Sequence, residues 1–306
     1  MTTLAIHPGA LGDLVLFGQF LAAVRASRGG DVRLVARRAV GRLLAGLGVV
    51  DEALDFDALP MDEVYAVRPP DECVLPDRLR SCRLLVSCFA GGDAQAERRL
   101  VRLASAAESV FLPVRPPADW RGHVLELWAK RSGLGVPPVP RWSVPATWRR
   151  RAAEALAAVG ADPGRDYVLA HPGSGGREKC WPLERFAELA RRSRRAVVFV
   201  VGPVEQDWWS AEALAEIGRE FPLIVSPPLE VLAALAGGAA AWVGNDSGPT
   251  HLAAAVGAPV VAVVVGPAVR HFAPRGKQVR VVSVARAERC RLESVQAALR
   301  ISLTRQ

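Results

Sequence analysis

Short apolar segments rich in β-branched residues recur along the chain and alternate with longer segments of helical periodicity. Strands that alternate with helices predict βαβ units and mostly parallel sheets. Nearly continuous apolar segments are typical of strands buried on both faces of a sheet. The pattern therefore predicts an α/β fold. The candidate strands lie at 3–6, 32–36, 83–89, 167–170, 196–201, 222–225, 240–243 and 260–265.

Helical periodicity predicts the second kind of element. In one such segment Pro182 suits a first helical position and Glu184 suits the first turn. The predicted helices lie at 14–27, 122–132, 147–159, 182–193 and 204–219, and Pro249 opens a further one.

Two similar stretches predict two domains. LAIHPGALGD at 4–13 and VLAHPGSGGR at 168–177 each follow the order strand, glycine-rich turn, helix, as at the start of a Rossmann-like domain. A length of 306 residues fits two domains of about 100–200 residues. Seven prolines between 113 and 145 indicate a stiff connection. We therefore predict domains at 1–145 and 146–290, facing each other across a cleft, and a C-terminal helix at 291–306.

The formal net charge is +8, and only three of the 39 basic residues are lysines: Lys130, Lys179 and Lys277. Such a charge attracts an anionic partner, either a nucleotide, a phosphorylated glycan, a membrane surface or a nucleic acid. The alternative is that the arginines at 191–195 form a solvated helix end. No RNA- or DNA-binding motif is present, so nucleic acid is not the expected partner.

Five cysteines without a C-x-x-C pair indicate reduced thiols and a reducing compartment. The N-terminus has no basic segment before an apolar block, so no secretory signal is expected. The uncharged stretch that begins at Leu252 is divided by Gly257, Pro259 and Gly266, which favours a buried core over a membrane span. We expect a cytoplasmic protein.

The first candidate site is Gly9–Asp13, after the first predicted strand. Glycines there allow a tight turn and close approach of a ligand. Asp13 would lie at the turn into the helix, where its carboxylate can accept a proton from a substrate hydroxyl. The alternative is that Asp13 only caps the helix.

The second candidate site is HPGSGGREKCWP at 171–182. Its small residues, Ser174 and Gly175 among them, lie between a strand and a helix, where loop amides and a helix N-terminus bind phosphate oxygens. Lys179 supplies a cation for the developing charge of a diphosphate leaving group. An ordinary solvated loop is the alternative, and Trp181 is expected to serve packing.

The third candidate site is VGNDSGPTHLAAA at 243–255, a polar block between two very apolar segments. Ser247 and Gly248 would lie at a helix N-terminus, which is an anion site. Asp246 would hold sugar hydroxyls, and His251 falls in the first turn of the same helix. The alternative is a capping turn.

Glu205 follows the strand at 196–201, a position from which a carboxylate binds a ribose hydroxyl pair. The alternative is an ordinary glutamate in a first helical turn. The five histidines show no metal-ligand spacing, so no metal site is expected.

Three motifs resemble those of the bacterial ADP-heptose:lipopolysaccharide heptosyltransferases, which are inverting glycosyltransferases of GT-B fold. They are A-L-G-D at 10–13, H-P-G with K-x-W-P at 171–182, and G-N-D-S-G-P-x-H-L-A-A-A at 244–255. The resemblance is strong over 165–265 and moderate over 1–60. His7 stands where the family often has arginine, and the segment 83–145 departs from the usual acceptor-domain pattern.

The resemblance implies an acceptor-binding N-terminal domain, a nucleotide-sugar-binding C-terminal domain and a final helix that packs back on the N-terminal domain. Catalysis would fall to Asp13, as general base, and Lys179. The reaction would need no cofactor or metal besides the nucleotide sugar, which is ADP-heptose by resemblance. The donor-binding residues would be Gly12, Ser174, Gly175, Glu205, Asp246, Ser247, Gly248 and His251.

The implied function is transfer of a sugar to a lipopolysaccharide core or a similar surface glycan, in the cytoplasm and at the inner membrane. The basic charge fits peripheral contact with anionic lipid. Two alternatives remain open: a GT-B enzyme that uses another nucleotide sugar, and a non-catalytic protein that binds a nucleotide sugar.

Overall fold

The computed structural model describes residues 2–67, 69, 72–75, 79, 82–139, 141–266 and 269–304. The chain divides into two compact units, Met1–Pro138 and Val139–Gln306, where the sequence had suggested a limit after residue 145. Both units are α/β, and in both every pair of neighbouring strands is parallel. The prediction of an α/β fold with two parallel sheets is confirmed.

The first unit contains a five-stranded sheet in the order β3-β2-β1-β4-β5. Two 3-10 turns, Phe56–Ala58 and Met61–Tyr65, follow β3. The strands are β1 (Thr2–Ile6), β2 (Asp31–Ala36), β3 (Glu52–Asp55), β4 (Leu84–Ser87) and β5 (Glu108–Phe111); the helices are α1 (Leu11–Arg28), α2 (Arg38–Gly46), α3 (Ala94–Leu103) and α4 (Val124–Ser132).

The second unit contains a six-stranded sheet in the order β11-β10-β9-β6-β7-β8. Its strands are β6 (Tyr167–His171), β7 (Ala196–Val201), β8 (Leu223–Val225), β9 (Ala241–Asn245), β10 (Val260–Val265) and β11 (Val279–Val284). Its helices are α5 (Ala146–Ala158), α6 (Leu183–Arg191), α7 (Pro203–Trp208), α8 (Ala211–Glu220), α9 (Leu229–Gly238), α10 (Gly248–Ala255), α11 (Val269–Phe272) and α12 (Leu292–Leu303).

The strand orders place a topological switch point near the middle of each sheet. The chain leaves β1 toward β2 and β3 on one side and later returns to β4 on the other, and β6 and β9 are related in the same way. The crevice beyond the carboxyl ends of such strands is where open α/β sheets bind ligands. Two ligand positions follow, after β1 and β4 in the first unit and after β6 and β9 in the second.

Each unit has its own apolar core. In the first, Leu4, Ile6 and Val35 of the central strands are buried with residues of α3 and of the segment after β3. In the second, Val168, Phe199 and Val243 are buried with residues of α6 and α12.

The last helix belongs to the core of the second unit. Leu292, Val295 and Leu299 of α12 are buried there, and the carbonyl of Cys290 accepts the indole N–H of Trp181 at 3.0 Å. Packing of 291–306 on the N-terminal domain, which the resemblance implies, stays a prediction; residues 305 and 306 lie outside the described part of the chain.

The predicted helix at 204–219 is two helices. Trp209 has extended backbone angles, so α7 ends before it, and the hydroxyl of Ser210 accepts the N–H of Ala213 at the start of α8. Among the described residues, no helix combines the length and apolar character that crossing a bilayer requires.

Candidate functional site

Asp13 lies in the first turn of α1, which begins at Leu11, rather than before the helix. Its carboxylate accepts the backbone N–H of Ala10 at 3.2 Å, and the side chain is half-buried. Gly12 lies in the same turn. Asp13 therefore makes the capping contact. It also lies at the carboxyl edge of the sheet, where a carboxylate can face a ligand.

His7 is a buried residue beside Asp13. Its Nδ1 accepts the N–H of Gly9 at 2.9 Å, so the proton of the neutral ring is on Nε2, for which no described residue provides a partner. Burial lowers the pKa of His7 to about 4, and nearby Asp13 partly opposes this shift. A Cβ at Gly9 would overlap the imidazole and lie 3.1 Å from the Cβ of Asp13. Glycine at position 9 thus lets the two side chains approach.

The end of β4 completes the edge of the first unit. Cys88 is buried there, and its pKa is raised mainly by burial and further by the charge of Asp13. Asp13 is thus near enough to the end of β4 for its charge to act on Cys88.

Asn245, at the end of β9, holds the loop that follows β6. Its Oδ1 accepts the N–H of Trp181 at 2.9 Å, and its Nδ2 donates to the carbonyl of Pro172 at 2.5 Å. The fully buried side chain of Asn245 therefore forms hydrogen bonds to both ends of the loop. Trp181 itself packs in the core against Phe186, as predicted.

The same loop carries three predicted donor-site residues. The hydroxyl of Ser174 donates to the carbonyl of Asp246 at 2.6 Å, which joins the loops after β6 and β9 a second time. Gly175 is exposed, and Lys179 is half-buried in the 3-10 turn Arg177–Lys179. In the described part of the chain, no side chain or backbone group pairs with the Lys179 ammonium.

The loop after β9 ends in the cap of α10. Ser247 is the N-cap residue, and its hydroxyl accepts the N–H of Thr250 at 3.4 Å. Thr250 in turn donates its hydroxyl to the carbonyl of Asn245 at 2.6 Å and accepts the indole N–H of Trp242. Gly248 is the first residue of the helix, so the positive end of the helix dipole lies at this loop.

Asp246 and His251 are in contact. Nε2 of His251 lies 3.4 Å from Oδ1 of Asp246, and the Nδ1 atom is buried without a partner among the described residues. The carboxylate of Asp246 remains partly accessible, with 18% of its side chain exposed. The histidine thus orients a carboxylate that a ligand can reach.

Glu205 lies in the first turn of α7 and is buried. Its Oε2 accepts the N–H of Gly202 at 2.7 Å, and its carboxylate occupies the space where Gly173 would carry a Cβ. The pKa of His171 is lowered by burial and partly restored by Glu205, and its Nδ1 lies 3.0 Å from the carbonyl of Val200. Glu205 therefore lies in a first helical turn, beside the loop after β6, and its role in binding a ribose stays a prediction.

The structure brings most of the predicted donor-site residues together at neighbouring strand ends. Ser174 contacts Asp246, and Asp246 contacts His251. The sequence did not reveal the role of Asn245, although this residue stands inside the most specific motif. It also did not reveal that the carboxylate of Glu205 occupies the space beside Gly173. Among the described residues, no three His, Cys, Asp or Glu side chains come close enough to hold a metal ion.

This edge of the second unit suits an anionic ligand that also carries hydroxyl groups. A half-buried cation and a helix N-terminus favour phosphate oxygens, and the partly accessible carboxylate of Asp246 can accept hydrogen bonds from hydroxyls. The first unit offers a carboxylate that can accept a proton.

The chain matches a protein-family model described as glycosyltransferase family 9 (heptosyltransferase) over residues 94–299. The matched segment includes the loops after β6 and β9 and covers more than half of the chain. No curated protein matches the chain.

Several solved structures share the fold. A glycosyl transferase family 9 protein from Veillonella parvula is 17% identical with a TM-score of 0.76, covering 100% of this chain and 97% of that one. E. coli ADP-heptose lps heptosyltransferase II is 18% identical with a TM-score of 0.77, covering 99% of each chain. E. coli heptosyltransferase WaaC, solved with ADP, is 17% identical with a TM-score of 0.69, covering 99% and 100%. The predicted GT-B fold class is confirmed.

Proposed function

Because the chain belongs to glycosyltransferase family 9, we propose that it transfers a heptose from ADP-heptose to a hydroxyl of a lipopolysaccharide core or similar surface glycan. The sugar and the nucleotide follow from the motif resemblance and from what the similar E. coli enzymes are described as using. Transfer occurs by a single displacement with inversion at the anomeric carbon.

One observation carries the donor assignment: the ammonium group of Lys179 has no ion-pair partner among the described residues. A half-buried cation without a counter-charge costs desolvation energy, and an anionic ligand recovers that energy when it binds. Lys179 lies in the loop that Asn245 fastens to the end of β9, so the cation is held near the switch point of the second sheet. This favours a diphosphate as the ligand.

In the proposed reaction the acceptor hydroxyl oxygen bonds to the anomeric carbon while its proton passes to the Asp13 carboxylate. The bond between that carbon and the diphosphate breaks, and the electron pair leaves with ADP. Lys179 stabilises the negative charge that develops on the leaving oxygen.

The other proposed donor contacts come from residues that follow β6, β7 and β9. Ser174 and Gly175 line the diphosphate in the loop after β6, and Gly248 with its cap Ser247 supplies the helix dipole. Glu205 binds the ribose hydroxyls.

Two further contacts are proposed at the reacting groups. Asp246, oriented by His251, contacts the transferred sugar. Gly12 lies beside Asp13 and gives the donor room at the catalytic carboxylate.

We further propose that the protein works in the cytoplasm, in peripheral contact with the inner membrane. A glycolipid acceptor is held at that surface, and the net charge of +8 favours approach to anionic lipid.

A thermal-shift panel with ADP, UDP, GDP, dTDP and CMP tests the donor assignment. At 100 times its dissociation constant, ADP should raise the free energy of unfolding by about 2.7 kcal/mol. Lys179→Ala should abolish this shift, whereas Arg177→Ala, a change to an exposed arginine in the same turn, should retain it.

Other outcomes are equally informative. Selective stabilisation by UDP or GDP would replace ADP-heptose with another donor, and a shift that survives Lys179→Ala would remove the lysine from the site. Release of ADP together with a glycosylated product, detected by mass spectrometry, then establishes transfer.

A further inference from the structure

Three aromatic side chains form a row at the carboxyl edge of the first sheet. Phe56 directly follows β3, and Phe89 lies just beyond the end of β4. Their ring centroids are 5.3 Å apart at an interplanar angle of 78°. Tyr65 packs on Phe89 at 5.7 Å and 86°. Phe56, Tyr65 and Phe89 are called the aromatic row below.

The strand order determines where this row lies. β3 and β4 are not neighbours, because β2 and β1 lie between them. At about 4.8 Å per strand, their ends are separated by about 14 Å. Rings that follow β3 and β4 and meet each other must therefore span the ends of β2 and β1. The loop that leads to Asp13 begins at the end of β1, one of the two strands between β3 and β4.

Asp13 lies in the first turn of α1, the helix that follows β1, and β1 is the direct neighbour of β4. Cys88 separates Phe89 from the end of β4, and it is buried. Its pKa is raised mainly by burial and also by Asp13. The candidate base and Phe89 of the aromatic row therefore follow neighbouring strands at the carboxyl edge of one sheet.

The backbone under the row is fixed by hydrogen bonds. The hydroxyl of Ser87 donates to the carbonyl of Phe89 at 2.7 Å and accepts the N–H of Phe89 at 3.0 Å. Arg99 stabilises the 3-10 turn that carries Tyr65, because it donates its Nε–H to the carbonyl of Glu63 at 2.6 Å. A ligand that binds here meets preorganised rings, which reduces the entropy cost of binding.

The exposed surface of the aromatic row is provided mainly by Tyr65. Tyr65 is 54% exposed, while Phe56 and Phe89 are partly buried against the core. Asp93 lies near enough to Tyr65 to contribute, after burial, to the raised pKa of its hydroxyl. The edge thus combines an accessible aromatic face with a carboxylate at its rim.

We propose that the aromatic row is the acceptor subsite, on which a sugar ring of the acceptor stacks through its C–H face. A pyranose has an apolar C–H face and a hydroxyl rim, which match an aromatic face bordered by Asp93. A ring seated there presents a hydroxyl toward Asp13. This assignment rests on the proposed glycosyl transfer and specifies the part of the acceptor that the first unit recognises.

Saturation-transfer NMR tests the subsite on the full chain. The probes are the methyl glycosides of glucose, galactose and mannose, together with octyl glucoside. We expect transfer to the ring C–H protons of at least one glycoside. Tyr65→Ala should weaken binding about fivefold, the equivalent of about 1 kcal/mol. Tyr65→Phe, which keeps the ring, and Val67→Ala, at a nearby exposed valine, should leave binding unchanged.

Three results would overturn the proposal. They are equal binding by Tyr65→Ala and the native chain, the absence of transfer to any glycoside, and saturation of the octyl chain instead of the sugar. Each variant is first checked for its melting temperature and its ADP shift. An intact ADP shift with lost glycoside binding separates failure of this subsite from failure of the donor assignment.

Discussion

The amide side chain of Asn245 accepts the N–H of Trp181 and donates to the carbonyl of Pro172, so one residue at the end of β9 holds both ends of the loop after β6. Asn245→Ala would leave two buried backbone groups unpaired. We expect the free energy of unfolding to fall by about 2 to 4 kcal/mol. Urea denaturation measures this loss, and an unchanged midpoint would show that the loop does not depend on Asn245.

Loss of Asn245 should also weaken nucleotide binding, because Lys179 lies on the loop that Asn245 holds. Isothermal titration with ADP at a temperature where the variant is folded measures this effect. Native affinity in a folded Asn245→Ala variant would mean that the loop is ordered by other contacts.

Gly173 and Gly175 form a matched pair for a packing test. A Cβ at Gly173 would overlap the carboxylate of Glu205, whereas one at Gly175 would meet nothing within 4 Å. Gly173→Ala should therefore lower the free energy of unfolding by about 1 to 3 kcal/mol. Gly175→Ala should change it by less than about 0.5 kcal/mol. Equal losses in thermal or urea unfolding would contradict this account.

Asp13→Asn separates the capping role of Asp13 from its proposed chemical role. The amide oxygen can still accept the N–H of Ala10, so stability should change by less than about 0.5 kcal/mol. An amide does not take up the acceptor proton, and transfer should slow by about 100-fold or more.

Initial rates of ADP release with a lipopolysaccharide-core acceptor measure the effect. Asp31→Asn, at an exposed position of the same unit, is the control. A native rate for Asp13→Asn would remove the residue from the general-base role.

His7 should make stability depend on pH. Its pKa falls from 6.5 to about 4 in the folded chain because burial disfavours the charged ring. The unfolded chain therefore binds the extra proton in acid, and this stabilisation, complete above pH 6.5, is lost as pH falls toward 4. The total is about 3 kcal/mol.

His7→Gln should remove this part of the pH dependence. Urea unfolding of both proteins at pH 7.5 and pH 5 is the test, with a difference of about 2 kcal/mol expected between their pH-induced losses. Parallel losses in the two proteins would mean that the buried ring titrates normally.

Peripheral membrane contact should depend on salt. If the net charge of +8 drives binding, vesicles with about one third anionic lipid should retain the protein at low ionic strength. Binding should fall about tenfold or more at 1 M salt, where the Debye length is about 3 Å. Flotation assays measure retention, and equal retention on neutral vesicles would exclude an electrostatic attachment.

Several strands could be predicted because they are buried on both faces. β7 and β10 coincide with the apolar segments at 196–201 and 260–265. The missed strands β3, β5 and β11 are all at sheet edges, where one side of the strand lacks a neighbour and polar residues are tolerated. Their burial alternates or is partial, so the apolar pattern that identified the central strands is absent from them.

The candidate site was predictable where polar residues interrupt apolar sequence. The block around Asp246 and Ser247 stood out for that reason, whereas Asn245 was overlooked because its hydrogen bonds join it to residues more than 60 positions away. The aromatic row could not be predicted from the sequence pattern either. Phe56 and Tyr65 are nine positions apart, but Phe89, which contacts both, follows another strand and meets them only because the strand order brings the two segments together.

The division at Pro138 and Val139 has a consequence for how such enzymes diversify. Each sheet packs against an apolar core of its own. Genetic recombination between residues 138 and 139 would therefore exchange one complete core and would divide neither. A new first half would bring a different aromatic edge, while the loops fastened by Asn245 would be inherited unchanged. If the first unit binds the acceptor and the second binds the nucleotide, as proposed above, recombination at this single point would change the acceptor and keep the nucleotide.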